Sequence, residues 1–140
     1  MPDLFSPIRI GSHTIPNRVV MSPTVKFCLH DGSGYVPEGL AEHYRMRAKS
    51  GTGLIVVEAT APTVGGKVHH KCLGAWEDGQ IEGLAEVAAA IHAEGSKAIL
   101  QLCYTGDLAR NVGFHCLINQ CLEQAIHALR FGHDMHGHFF

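Results

Sequence analysis

Small and polar residues follow three separate apolar runs of this 140-residue sequence. Ser22, Pro23 and Thr24 follow the first run, and Ala59 and Gln101 stand at the ends of the second and third. If the runs are parallel strands, their carboxyl ends meet at the edge of a sheet where ligands bind. Small residues there allow close approach, and the Gln101 carboxamide offers a hydrogen-bond donor and an acceptor to a flat ligand. The alternative is purely structural, because strand ends are commonly polar where they meet solvent.

The histidines and cysteines indicate neither a metal centre nor a disulfide framework. His133, His136 and His138 lie close together, but no carboxylate or cysteine completes a known ligand spacing. We therefore expect only adventitious metal binding there. The five cysteines include no CxxC pair, and this pattern favours reduced thiols in the cytoplasm.

The composition predicts one globular domain. Hydrophobic residues make up 46% of the chain and charged residues 17%, which is typical of a folded protein. The formal net charge of −2 gives no electrostatic reason to expect a nucleic acid or an anionic membrane as partner. No apolar stretch is long enough to span a bilayer, and the first residues, MPDLFSPIRIGSH, lack the pattern of a secretory signal.

Three strands are predicted to position the polar residues. They span residues 17–23, 53–60 and 97–102, and the apolar run at 53–60 is typical of a strand covered on both faces. Upstream, Ile8 and Ile10 alternate with polar neighbours before a turn at Gly11-Ser12, which predicts a small hairpin.

Two helices are predicted between these strands. The first has Pro37 in its opening turn and Gly51 as a left-handed carboxyl cap. The second is capped by Asp78 and Gly95, and its apolar stripe consists of Ile81, Leu84, Ala88 and Ile91. The β-α-β-α-β order predicts a parallel α/β sheet with right-handed crossovers.

Four blocks of the sequence resemble the N-terminal part of the old yellow enzyme family. They are LFSPIRIG…NRVVMSPT, AEHYRMRAKSGTGLIVVEAT, LGAWEDGQIEGL and AIHAEGSKAILQL, in the family's order across about residues 4–106. That family consists of flavin-dependent oxidoreductases built on a TIM barrel. The resemblance implies a partial (β/α)₈ barrel of about three parallel βα units behind an N-terminal hairpin. Residues 1–110 would form this barrel portion, and residues 111–140 a divergent, His-rich tail that is helical in part.

The resemblance also implies an FMN site at the strand ends. Main-chain contacts from Ser22, Pro23 and Thr24 would line the flavin ring, and the backbone of Ala59 would approach its carbonyl edge. Gln101 would hydrogen-bond the pyrimidine edge. The implied reaction is hydride transfer from NAD(P)H to the flavin and then to an activated alkene. The flavin would accept and donate the hydride, and the protein would orient it.

Three departures from the family pattern bear on activity. Val25 stands where many members carry a flavin-contacting Cys or Thr. Tyr104 and Asp107 replace the His and Arg of the family's QLxHxGR stretch, and an anion near a flavin or phosphate is unfavourable. A complete barrel needs about 250 residues, and the resemblance covers three strands of eight. The alternative prediction is therefore a truncated, non-catalytic chain that cannot hold FMN alone, and no catalytic residue is assigned.

The remaining polar and aromatic residues are expected to have structural or surface roles. We expect Glu58 to be solvated and Trp76 to anchor the start of the second helix. His69 and His70 are expected to be solvated, with a role in a substrate loop as the alternative, and Arg45 is expected to be a structural ion-pair or surface residue. A three-stranded parallel sheet leaves its edges exposed, so the tail or an oligomer is expected to cover them.

Overall fold

The computed structural model describes residues 3–105. The chain opens with a hairpin of β1 (Ile8–Ile10) and β2 (His13–Ile15), which pair antiparallel around Gly11. The hairpin is the one predicted, and Gly11 adopts the left-handed φ of 59° that its tight turn requires. The predicted boundary at residues 110–111 lies outside the described residues, as do Asp107 and the three tail histidines.

A parallel sheet follows the hairpin, as predicted. Its strands are β3 (Val20–Met21), β4 (Leu54–Ala61), β5 (Leu73–Gly74) and β6 (Lys97–Leu102). Each of the other three strands pairs in parallel with β4. Leu54 pairs with both Val20 and Lys97, and Thr60 pairs with both Leu73 and Leu102, so β4 is bonded along both edges.

Two helices cover one face of this sheet. They are α1 (Leu40–Lys49) and α2 (Ile81–Ala93), and each ends before a glycine with positive φ, Gly51 and Gly95, as predicted. Arg45 of α1 contacts Glu42 and Glu94 at 2.6 and 2.9 Å, which confirms the expected ion pair and ties α1 to the end of α2.

The helix starts differ from the predicted ones. Pro37 does not lie in the first turn of α1, because Gly39 adopts a left-handed φ of 82° and Leu40 begins the helix. Asp78 does not cap α2 through its side chain; it begins a 3₁₀ turn, Asp78–Gln80, that leads into the helix. The Gln80 carboxamide oxygen accepts the backbone N–H of Trp76 at 2.9 Å, so Trp76 is fixed at this helix start.

The core lies between the sheet and the helices. It consists of a cluster of buried side chains from α1, β4, β5 and α2, namely Leu40, Tyr44, Ala48, Ile55, Val57, Leu73, Leu84, Val87 and Ile91. Val87 belongs to the buried face of α2, whereas Ile81 of the predicted stripe is only half-buried.

The opposite face of the sheet is open within residues 3–105. Val20 and Ile99 are 54% and 42% exposed. Near the hairpin this face forms an apolar hollow of about 250 Å³ lined by Ile10, Ile15, Leu54 and Ile99, among others. No helix in this part of the chain is long and apolar enough to cross a membrane.

Candidate functional site

The structure places all the predicted site residues at the carboxyl edge of the parallel sheet. Ser22, Pro23 and Thr24 directly follow β3, Ala59 lies near the end of β4, and Gln101 lies near the end of β6. Because β3 and β6 flank β4, the loop after β3 and the end of β6 lie on either side of Ala59. The expected convergence at one edge therefore follows from strand order.

A β-bulge sits at the centre of this edge. Val57 pairs with Leu100 and Thr60 pairs with Leu102, so two residues of β4, Glu58 and Ala59, oppose the single Gln101 of β6. Bulges bend a strand and re-aim its side chains, and they recur next to active sites. Here the bulge sets Ala59 beside Gln101 and breaks the alternation that would have pointed Glu58 away from α1.

Glu58 is buried, and the prediction that it is solvated is wrong. Its side chain is fully inaccessible and lies 2.6 Å from Nε2 of His30, which is buried as well. Glu58 Oε1 also accepts the Lys26 backbone N–H at 3.2 Å, and Oε2 accepts the Tyr44 hydroxyl at 3.2 Å. The Tyr44 hydroxyl in turn accepts the Glu58 backbone N–H at 2.9 Å.

Sequence reasoning missed this buried cluster for a physical reason. Tyr44 is recognisable as a core residue of α1, but His30 lies in a loop with no periodicity to show which way its side chain points. The available signal was Glu58 itself, since a single acidic residue inside a buried apolar strand requires a partner.

The electrostatics of the cluster keep its phenol neutral. Burial and the negative charge of Glu58 raise the pKa of Tyr44 far above its ordinary value of 10.0. Burial also lowers the pKa of the neighbouring His43. Tyr44 therefore acts as a neutral hydrogen-bond donor to the Glu58 carboxylate across the ordinary pH range.

Two of the residues that depart from the family pattern, Val25 and Tyr104, lie within the described part of the chain, at the border of the site. Val25 is half-buried and Thr24 exposed in the loop after β3. Tyr104 packs its ring against Gly66, where a Cβ would collide with the Tyr104 Cδ2. Thr105 donates its N–H to the Gly66 carbonyl at 3.3 Å, so the segment after β6 is fixed on the loop after β4.

The two loop histidines differ in their surroundings. His70 is exposed as predicted, but His69 is half-buried and contacts the rings of Phe27 and His70, with centroid separations of 4.5 and 4.1 Å. Within residues 3–105 no group of three or more His, Cys, Asp or Glu residues could hold a metal ion.

The edge fits a planar heterocycle in its hydrogen-bonding groups. The Gln101 side chain is exposed and makes no hydrogen bond within the described residues. Ala59 is buried and its side chain is a single methyl group, the smallest obstruction that a side chain other than hydrogen can offer at this point of the β4 backbone. Residues 22–25 make no hydrogen bond outside the sheet ladder in this part of the chain, which leaves main-chain groups available to a ring. Such a set suits the carbonyl and N–H groups of a flavin.

Comparison with known proteins gives consistent relatives. The model of the NADH:flavin oxidoreductase / NADH oxidase family matches residues 3–121. An NADPH dehydrogenase of Bacillus licheniformis is 40% identical over 110 residues, which are 79% of this chain and 32% of that protein. The chain thus spans about a third of the length of this curated relative.

Solved structures of old yellow enzymes share the fold. The old yellow enzyme homologue of Zymomonas mobilis superposes with a TM-score of 0.70 at 31% identity, covering 77% of this chain and 30% of that one. A morphinone reductase variant in complex with tetrahydroNAD gives a TM-score of 0.70 at 32% identity, covering 78% and 29%. The open parallel sheet therefore corresponds to part of the old yellow enzyme TIM barrel, as the sequence predicted.

With a family match over most of its length and this shared fold, the chain belongs to the NADH:flavin oxidoreductase / NADH oxidase family, the family of the old yellow enzymes.

Proposed function

We propose that this chain supplies part of the FMN site of an oxidoreductase that moves a hydride from NAD(P)H through the flavin to an activated alkene. The observation that carries the proposal is the convergence of Ser22–Thr24, Ala59 and Gln101 on one edge of the sheet. Family membership supports a flavin and a nicotinamide reductant. The name of the Bacillus licheniformis relative and the tetrahydroNAD bound to the morphinone reductase variant support the same reductant.

Each of these residues has a distinct binding role in the proposal. The main chain of Ser22–Thr24 lines one side of the ring, and Ala59 leaves room for the ring edge to approach the β4 backbone. Gln101 orients the ring, because its carboxamide can donate and accept at once. The flavin, when bound, supplies the hydride chemistry, and the protein supplies position and hydrogen bonds.

We also propose that the substrate is a small alkene, as in the reaction that the family resemblance implies, and that residues 1–110 form the barrel portion with 111–140 as a divergent tail. The open apolar face, on which Val20 and Ile99 are exposed, supports its coverage by the tail or by a second copy. The cysteine pattern supports reduced thiols and a cytoplasmic location.

A flavin titration tests the proposal. Purified chain is titrated against FMN while the quenching of flavin fluorescence is followed. We expect saturable binding, weakened roughly tenfold by Gln101→Ala, since losing one such hydrogen bond costs about 1.4 kcal/mol. Ala59→Leu should weaken binding further by filling the space for the ring.

The matched control for this titration is Glu86→Ala, on the exposed face of α2. It should bind FMN like the unmodified chain. An unmodified chain that folds and leaves FMN unquenched would instead support the alternative, a non-catalytic chain that cannot hold FMN alone.

A further inference from the structure

One buried carboxylate links three segments of the chain beside the candidate flavin site. Glu58 of β4 contacts His30 and the backbone of Lys26, which both lie in the loop between β3 and α1, and it contacts Tyr44 in α1. The Glu58 and His30 side chains are 0% and 1% exposed. The side-chain oxygens of Glu58 are therefore partnered by protein groups and not by solvent.

Packing alone does not require a carboxylate at this position. Placing a charge in the interior has a large desolvation cost, and an apolar side chain of similar volume is often as stable or more so. The neighbouring core residues Ile55, Val57 and Leu73 are all apolar. The specific contribution of Glu58 is thus the set of hydrogen bonds that it accepts.

The bond to Lys26 reaches the part of the chain that borders the site. Lys26 lies two residues after Thr24, and Glu58 immediately precedes Ala59. Among the described residues, this bond is the single hydrogen bond beyond the sheet ladder that joins residues 22–26 to β4. The carboxylate therefore connects the loop on one side of the site to the bulge at its centre.

We propose that Glu58 is a positioning residue of the flavin site, whose carboxylate holds the loop after β3 at a fixed distance from the β4 bulge. This inference rests on the proposed function, because the distance that it fixes is the width available to a flavin ring. His30 contacts Oε1, the oxygen that also accepts the Lys26 N–H, and Tyr44 donates to Oε2, so both carboxylate oxygens are held in place.

Amide hydrogen exchange in the flavin-free chain tests the positioning directly. The exchange rate of the Lys26 amide is measured by NMR in the unmodified chain and in Glu58→Ala and Glu58→Gln. We expect Lys26 to exchange at least about tenfold faster in Glu58→Ala, because a hydrogen bond to a charged acceptor is lost. Glu58→Gln should show a smaller increase, since its carboxamide oxygen is an uncharged acceptor of the same size.

Glu94→Ala is the control, because it removes a carboxylate that also bonds across elements but lies outside the site. Its Lys26 amide should exchange at the unmodified rate. If Glu58→Ala fails to fold, the isosteric Glu58→Gln decides by the same readout. A Lys26 amide that exchanges at the unmodified rate in every folded Glu58 variant overturns the proposal.

FMN affinity separates positioning from general stability. In variants that remain folded at the assay temperature, Glu58→Gln should raise the FMN dissociation constant at least about threefold, and Glu94→Ala should leave it unchanged. Faster Lys26 exchange with unaltered FMN affinity would overturn the role in the flavin site. If the unmodified chain binds no FMN while Lys26 still exchanges faster in the Glu58 variants, the proposed function is refuted. The attachment of the loop by Glu58 is supported in that case.

Discussion

The hydroxyl group of Tyr44 can be removed with almost no change in the shape of the core. Tyr44 is fully buried, and its ring packs in the cluster formed by α1, β4 and α2. The hydroxyl donates to Glu58 Oε2 at 3.2 Å and accepts the Glu58 N–H at 2.9 Å. Tyr44→Phe keeps the ring and leaves a buried N–H and one carboxylate oxygen without these partners.

The expected cost of Tyr44→Phe follows from those two groups. Each buried polar group that loses its partner costs about 1–3 kcal/mol, and the longer of the two bonds is the weaker. We therefore expect a decrease of about 2–4 kcal/mol in the free energy of unfolding. This is a large share of the roughly 5–15 kcal/mol that is typical of a folded domain.

Urea unfolding provides the assay, and the single tryptophan of the chain, Trp76, reports it by fluorescence. With a slope of roughly 1–3 kcal/mol per molar urea, the midpoint should fall by about 1–2 M. Tyr35→Phe is the matched control, because Tyr35 is 45% exposed. Removing its hydroxyl group should change the free energy of unfolding by less than about 0.5 kcal/mol. Equal midpoints for the two variants would refute the reasoning.

Two further predictions concern backbone space and ionisation. Gly34 and Gly39 both have left-handed φ, 89° and 82°, but a Cβ on Gly34 would collide with the Trp76 ring while one on Gly39 meets nothing within 4 Å. Gly34→Ala should therefore lower the free energy of unfolding by about 1–3 kcal/mol more than Gly39→Ala does, measured by urea unfolding. Equal losses in the two variants would exclude the clash as the cause. The raised pKa of Tyr44 stabilises the folded state fully below pH 10 and less as the pH rises above the ordinary value. A phenolate absorbance titration should show one of the three tyrosines ionising only as the chain unfolds, a step absent in Tyr44→Phe; ionisation of all three in the folded chain would contradict this.

The second and third strands were the most predictable part of the fold, whereas the first, predicted at residues 17–23, is a strand only at Val20–Met21. The apolar run at 97–102 coincides with β6, and β4 extends only one residue beyond the predicted end at residue 60. β5 was not predicted, because a two-residue strand has no periodicity and exists through its pairing with β4. The start of α1 was predicted too early, since Pro37 suits a first turn but the left-handed Gly39 follows it.

The candidate site was predictable as an edge but not as a set of contacts. Parallel strand order alone brings the ends of β3, β4 and β6 together, so the positions of Ser22, Ala59 and Gln101 follow from the pattern. The bulge opposite Gln101 depends on a register shift between two strands, which no local pattern encodes. The burial of Glu58 depends in the same way on His30, which lies 28 residues away in sequence.

The pairing of β4 along both edges has a consequence for synthesis on the ribosome. β4 receives β3 from the chain that precedes it and β6 from the chain that follows it. During translation, the central strand therefore keeps one edge unpaired until residue 102 has emerged. An apolar strand with an open edge readily pairs with another chain. In the interval between the emergence of β4 and that of β6, the unpaired edge of β4 is therefore open to pairing with other chains.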